Sequence, residues 1–422
     1  MTRAIIHLDL DAFFCAVEEL HNPALAGRAF AVGGRPESRG VVASCSYPAR
    51  RQGVRSAMPM AQAMRVCPGL IVTPPRFRAY RAMSRRVMDR VHALTGLVEQ
   101  ISIDEAFLDV TGRTEAPEEL ARGLQAEIRR DLGLPCSLGV ASNKLVAKIA
   151  NNIGKARAMG EGPPNAMASG PPMAITVVPP GEEATFLAPL PCDELWGVGP
   201  KTVARLAELG MTAIGDIAAA PVEVLETHFG KNGRDLARHS RGIDERPVET
   251  EHETKSVSQE ITFSHDVADA TRLHATLAEL AAGVSRDLRR NGLTGSTVRL
   301  KLRWPDFTTP TRQLTLDQPT DDGARILAAA QRLFDRLWQP GRAVRLLGVG
   351  VSGLSDQPRQ MGLWDAPDER LERLQRAVVS VRARYGDHAL LNGSDVAQLR
   401  QRQGKAIPLG DDNEDRCEQD EM

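Results

Sequence analysis

The segment "HLDLDAFF" at residues 7–14, read with "SIDEAFLDV" at 102–110, decides the fold. Residues 3–10 alternate: Ile6, Leu8 and Leu10 fall on one side, Ile5, His7 and Asp9 on the other. That is the period of a β-strand. Asp9 therefore sits mid-strand among apolar residues, where a carboxylate is costly unless it is paired or binds a metal. The second segment sets Asp104 and Glu105 side by side at a turn between two short strands expected over 97–110. Three acids converging from adjacent strands would offer hard oxygen ligands to two Mg²⁺ ions. Asp11 is assigned a structural role, as a cap for the helix expected over 12–20. Each motif alone is weak, because an acid beside a strand is more often a solvated strand end.

Outward from these segments the chain alternates between strand and helix patterns. The helix at 12–20 stops at Asn22-Pro23, and Gly/Arg-rich small elements run to about residue 78. Helices are expected over 79–94, 117–131 and 142–153, with a strand over 135–140. Residues 157–172, rich in Gly, Pro, Ala and Met, are expected to form a loop. Short helices fill 182–245, and the acidic stretch "RPVETEHET" at 246–254 is expected to be a linker. The next hundred residues read β, α, β, β, α, β, a compact α+β unit. A helix-like stretch over 367–384 and a polar acidic tail end the sequence.

The 422 residues carry a net charge of −1, with 42% hydrophobic and 25% charged residues, the composition of a soluble globular protein. No apolar run approaches the roughly 20 residues needed to span a bilayer. No signal peptide is expected, because Arg3 leads directly into the first strand. The six cysteines are scattered without a C-x-x-C pair, which favours a reducing cytosol over zinc or disulfides. The last thirteen residues hold seven acids and one Arg, so the rest of the chain is net positive. Only eight of the 53 basic residues are lysine. Arginine suits phosphate contact, although GC-rich coding would give the same bias.

Four blocks carry a resemblance: "HLDLDAFFCAVEE", "VVASCSYPARRQGVRSAMPMAQAMRVCPGL", "EQISIDEAFLDV" and "SNKLVAKIANNIGK". In this order they resemble the palm and finger blocks of Y-family DNA polymerases, polymerase IV branch, over about residues 3–355. The resemblance implies a multidomain α+β fold, a right hand with a C-terminal βαββαβ little finger. Palm would be 1–11 and 79–172, fingers 12–78, thumb 173–245, linker 246–254, little finger 255–354 and tail 355–422. It implies a low-fidelity, template-directed polymerase of translesion synthesis, acting in the cytoplasm as a monomer on primer-template DNA and dNTP, away from membranes. Asp9 and Asp104 would bridge both metals, and Glu105 would hold the metal nearest the primer end. The Leu10 carbonyl would add a ligand. Tyr47, Arg50 and Lys155 would hold the triphosphate, and Phe14 takes the steric-gate position beside the sugar.

Further motifs extend the resemblance. "LWGVGPKTVARLAELGM" at 195–211 resembles a helix-hairpin-helix, with Gly197, Gly199 and Lys201 set to approach a phosphate. In "STVRLKLRW", Val298, Leu300 and Leu302 share one strand face, while Arg299, Lys301 and Arg303 form a cationic stripe on the other. "RQMGLWD" at 359–365 resembles a sliding-clamp-binding peptide, with Gln360, Met361, Leu363 and Trp364 as its contacts and the clamp as a further partner. One departure is a longer loop at 156–173 before "AITVVPP", which bears on how palm meets thumb. Two rival readings are a palm-type nucleotidyl cyclase and a non-catalytic, polymerase-like scaffold. The hairpin and little finger oppose the first, and the intact acid and cation set opposes the second.

Overall fold

The computed structural model describes residues 2–160, 170–251 and 253–356, with Ala377, Val381 and Arg384 beyond them. Met1–Asp356 forms one unit and Gln357–Met422 another. In chain order, β1 (Ile5–Leu10) leads to α1 (Phe13–His21), β2 (Phe30–Gly33), β3 (Val42–Cys45) and α2 (Tyr47–Arg51). Next come α3 (Met60–Val66), β4 (Ile71–Thr73), α4 (Phe77–Leu94), β5 (Val98–Gln100), β6 (Glu105–Asp109) and α5 (Pro117–Leu132). Then β7 (Cys136–Ala141), α6 (Lys144–Gly160) and β8 (Ile175–Val177) complete a five-stranded palm sheet of order β5-β6-β1-β7-β8. The fingers hold a small sheet, β3-β2-β4.

The alternation in β1 becomes a two-sided core. Ile6, Leu8 and Leu10 pack with residues of α1, α4 and α5, while Ile5 packs with α6 and the thumb. Burying each of these side chains contributes about 1.5–3 kcal/mol. Helix α6 crosses the sheet closely because Gly139 of β7 lies beneath it; a Cβ there would meet the Ala147 carbonyl. The Asn143 side chain accepts the Val146 amide at 3.0 Å, satisfying a donor at the start of α6.

Two boundaries differ from expectation. Helix α6 continues past 153, through the expected start of the loop, to Gly160. Residues 155–159 are helix formers, and Gly and Pro gather only from 160 onward. The thumb was expected from 173, yet β8 at 175–177 pairs in parallel with β7. The chain thus returns to the palm before entering α7 (Glu183–Leu187), α8 (Pro200–Glu208), α9 (Ile214–Ala219), α10 (Val222–Phe229) and α11 (Lys231–His239).

The little finger comprises β9 (Ser256–Val267), α12 (Ala270–Arg290), β10 (Thr294–Arg303), β11 (Thr311–Thr320), α13 (Gly323–Leu337) and β12 (Val344–Ser355). Its strands lie in the order β11-β10-β12-β9, and its core draws on α12, α13 and the apolar face of the sheet. The start of the expected linker is pinned. Arg246 pairs twice with Asp244, at 2.7 and 2.9 Å, and the Glu249 amide donates to Glu99 at 2.9 Å. Arg39 of the fingers reaches the little finger, 2.7 Å from Asp266 Oδ1 and 3.2 Å from the Phe263 carbonyl. The helix-like stretch at 367–384 lies outside the described residues apart from three positions, and the acidic tail lies outside altogether.

Candidate active site

Antiparallel pairing of β1 and β6 sets Asp9 opposite Glu105. Asp104 stands one residue before β6, and its carbonyl accepts the Leu10 amide at 3.0 Å, tying the two segments together. Ser102 organises the turn. Its hydroxyl donates to Asp104 Oδ1 at 2.6 Å and accepts the backbone N–H groups of Asp104 and Glu105 at 3.2 and 3.1 Å. Facing each other across these two strands, the Asp9 and Glu105 side chains act on each other's charge.

Helix α6 answers this cluster with cations. Lys155 Nζ is 2.5 Å from Asp9 Oδ1 and 3.4 Å from Asp11 Oδ1, and Lys148 Nζ is 2.8 Å from Glu105 Oε2. Burial pushes the Asp9 carboxyl up to about 7; Lys155 opposes that rise and the neighbouring Glu105 adds to it. Glu105 moves the other way. Burial would raise it, but the hydrogen bond and charge of Lys148 outweigh burial and hold it below the usual carboxylate range.

Asp11 is structural, but not as a cap of α1. The residue preceding that helix is Ala12, in the left-handed region at φ 47°, with no side-chain cap. Asp11 instead accepts the Ser137 hydroxyl at 2.9 Å and the Met173 amide at 3.1 Å, holding β7 and the entry to β8. The local turn geometry turns its carboxylate into the sheet, away from the helix start.

A cavity of about 200 Å³ opens beside the acids, lined by Asp9, Leu10, Phe14, Tyr47, Arg50, Asp104 and Lys155 among others. All the expected nucleotide-contacting residues thus line one cavity with two of the three acids, whereas Glu105 is not among its lining residues. Ser46 caps α2 by accepting the Ala49 amide, which presents Tyr47 and Arg50 together. The Arg50 guanidinium lies 5.1 Å from the Tyr47 ring centre, and its Nε donates to the Cys45 carbonyl at 3.1 Å. Phe14 is stacked on Tyr80, centroids 4.3 Å apart, and Tyr80 donates to the buried Glu18 at 2.6 Å.

Three residues near the site were missed in the sequence: Lys148, Ser102 and Trp196. Lys148 lies seven positions before Lys155, two helical turns, so the spacing already places both on one face. Ser102 and Trp196 leave no comparable trace, because their partners come from a turn and from a different domain.

Do these residues suit divalent cations? Among the described residues no group of three His, Cys, Asp or Glu side chains is already gathered as a metal cluster. The donor set nevertheless fits. Asp9 and Glu105 stand opposite each other on β1 and β6, and each holds a lysine ammonium where compensating positive charge is needed.

The expected DNA-contacting residues lie elsewhere in the first unit. Gly197, at φ 98°, makes the turn before α8, and Gly199 precedes its first residue. Lys201 is exposed in the first turn of α8. On β10, Val298, Leu300 and Leu302 are fully buried, while Arg299 is exposed and Lys301 and Arg303 half-buried on the opposite face. Lys301 pairs with Glu260 at 2.7 Å, and Arg303 donates to Thr309 at 2.8 Å. Gln360, Met361, Leu363 and Trp364 lie outside the described residues.

Comparison with known proteins matches these parts in order. Residues 8–152 match the impB/mucB/samB family, 180–211 the HHH motif of the IMS family, and 254–363 the impB/mucB/samB family C-terminal domain. The chain is 41% identical over 389 residues to DNA polymerase IV of Desulfatibacillum aliphaticivorans, covering 90% of this chain and 94% of that one. It is 43% identical over 374 residues to DNA polymerase IV of Streptomyces coelicolor, covering 87% and 74%. Among solved structures it resembles a Y-family polymerase chimera of Dbh and Dpo4, with TM-score 0.72 and 28% identity over 84% of this chain and all of that one. An insertion ternary complex of Dbh DNA polymerase gives TM-score 0.58 at 27% identity, again over 84% and 100%. Nothing in these likenesses supports a non-catalytic scaffold. The chain belongs to the Y family of DNA-directed DNA polymerases, in the translesion branch of DNA polymerase IV.

Proposed function

We propose that the cavity beside Asp9 and Asp104 joins a deoxynucleotide to the 3′ end of a primer paired with a template strand. The observation that carries this reading is the convergence in one place of the acids, the cations Arg50 and Lys155, and the aromatic Phe14. Asp9, Asp104, Glu105 and the Leu10 carbonyl would hold two Mg²⁺ ions. Bound there, the ions would favour the attacking oxygen and neutralise charge on the leaving pyrophosphate. Tyr47, Arg50 and Lys155 bind and orient the triphosphate, and positioned cations stabilise charge spread over phosphoryl oxygens. Lys155, which pairs with Asp9 here, is on a helix face that lets it turn to the phosphates. Phe14 offers no partner to a 2′-hydroxyl, so a ribonucleotide would clash and leave a polar group unsatisfied.

The template and primer backbone would be held by Gly197, Gly199 and Lys201 of the thumb and by Arg299, Lys301 and Arg303 of the little finger. Residues 360–364 would engage the sliding clamp of a cytoplasmic replication machinery, the polymerase itself acting as a monomer. Extension of a labelled primer by the purified protein with Mg²⁺ and dNTP tests the central reading. Template-directed addition is expected; DNA binding without any addition would overturn it. Removing residues 360–365 should leave distributive synthesis intact and abolish stimulation by the clamp.

A further inference from the structure

Lys148 makes a contact that the reaction does not call for. It occupies Glu105, the acid expected to face the primer end, at 2.8 Å, in a place where both side chains are mostly buried. An ammonium so placed competes with any cation for the same carboxylate. Displaced, it would leave a charge in a poorly solvated site, which is costly without another partner.

Such a partner stands next to it. Lys148 Nζ lies 5.7 Å from the ring centre of Trp196, within cation–π reach. The indole is itself held in place. It packs on Phe107 with centroids 5.7 Å apart, and the Arg246 guanidinium lies 4.9 Å from its centre. Arg246 is locked by the two hydrogen bonds it donates to Asp244, which also accepts the Leu145 amide at the start of α6. One turn before Lys148, Lys144 already shows the same arrangement, paired with Glu99 at 2.7 Å and 5.7 Å from the Phe107 ring. Helix α6 thus gives each of two lysines a carboxylate and an aromatic face.

We propose that Lys148 is a resident counter-ion of Glu105, which a divalent cation must displace, and that Trp196 is the seat to which it withdraws. Both are positioning residues, and the proposal rests on the assignment of Glu105 as a metal ligand. In the metal-free protein Lys148 keeps the carboxylates of Asp9 and Glu105 from repelling each other. With the cation in place, the ammonium turns to the indole and leaves both Glu105 oxygens to the metal. Metal affinity is then a difference between two seats for one ammonium, so the two residues act on it with opposite sign.

The test uses the full chain on a dideoxy-terminated primer-template with matching dNTP at pH 8, with bound Mn²⁺ read by electron paramagnetic resonance. Lys148→Met removes the competitor and should tighten Mn²⁺ binding on the order of tenfold, the scale of a charge-assisted hydrogen bond. Trp196→Ala removes the seat and should weaken binding about fivefold, with Trp196→Phe near wild type. The double variant should match Lys148→Met alone, since no ammonium remains to be seated. Unchanged or weaker binding in Lys148→Met overturns the proposal, as does an equal effect of Trp196→Ala with and without Lys148. Lys148→Met decides the sign even if Trp196→Ala does not fold. Glu105→Gln keeps the two readings apart: if it binds Mn²⁺ as wild type does, the assignment of Glu105 itself has failed.

Discussion

The palm and the little finger are both built on largely antiparallel sheets with helices packed against them, yet they treat charge in opposite ways. The palm sheet is covered on both faces, and its acids meet lysines inside the protein: Asp9 with Lys155, Glu105 with Lys148, Glu99 with Lys144. The little-finger sheet buries one face and leaves Arg299, Lys301 and Arg303 along the other. Buried charge is sensitive to every neighbour, and the opposed shifts of Asp9 and Glu105 are the outcome. Exposed charge is screened and roughly additive. Substitutions in the palm should therefore act steeply and on chemistry, those in the little finger gradually and on binding.

The steepest case is Asp104. Its carboxylate is held by Ser102 and not by a lysine, so removing it leaves no buried ammonium without a partner. Asp104→Ala should lower primer extension by at least about a thousandfold, because the loss falls on the transition state, with little change in DNA affinity. Extension within tenfold of wild type would break the contrast between the two sheets.

Phe14 comes next. Its stacking on Tyr80, which is anchored to Glu18, makes the ring a rigid wall. Phe14→Ala should raise the use of ribonucleotides relative to deoxynucleotides on the order of a hundredfold, within the span by which shaped sites reject misfitting groups. The ratio of kcat/KM for the two nucleotides measures it. An unchanged ratio would make Phe14 a packing residue only.

How much of this was legible in the chain follows the same division. The alternation in β1 and the split of β10 into apolar and cationic faces both arise from local period, which sequence displays directly. Lys148 was open to the same logic through its spacing from Lys155. What stayed hidden depends on tertiary contact. Asp11 looked like a helix cap until Ser137 and Met173, from distant segments, were seen to claim its carboxylate. The stretch entering the expected thumb proved to contribute β8 to the palm, because three residues are too few to announce which sheet they join. Pinning of the linker by Glu99 likewise joins residues far apart in the sequence.

For the little finger the effect should be smaller and graded. Replacing Arg299, Lys301 and Arg303 with Ala should lower the magnitude of the slope of log K against log salt by roughly two to three units. Nucleotide choice should not change. The structure sharpens this: Lys301 is already paired with Glu260, so it surrenders one contact to make another. Glu260→Gln should therefore tighten DNA binding about two- to threefold at low salt, in keeping with an exposed pair. Titration of both variants at several salt concentrations checks the two expectations, and an unaltered slope in the triple variant would reduce the stripe to solvated surface.

A contrast in stability, not activity, sets a buried palm residue against the little finger, in which no histidine is buried among the described residues. His7 lies fully buried in β1 between Asn151, which donates to its Nδ1 at 2.9 Å, and the Phe107 ring 4.9 Å away. Burial first, then the charges of Lys148 and Lys155, hold its pKa well below the ordinary 6.5. Below pH 6.5 the unfolded chain therefore takes up a proton that the folded chain refuses, so stability falls as the pH falls. The cost approaches about 1.4 kcal/mol per pH unit until the folded pKa is reached. Asp9 works in the other sense: with its folded pKa near 7, it adds stability as the pH falls and loses it as the pH rises through 7. Wild type alone would blur the two, so the difference from His7→Asn is the useful quantity; asparagine keeps an acceptor near the position of Nδ1. Denaturant unfolding between pH 7 and 5 should show the variant, whatever its offset at pH 7, losing less stability than wild type across the acid side. Parallel curves would mean that His7 takes up its proton in the folded palm and that burial there costs less than its surroundings imply.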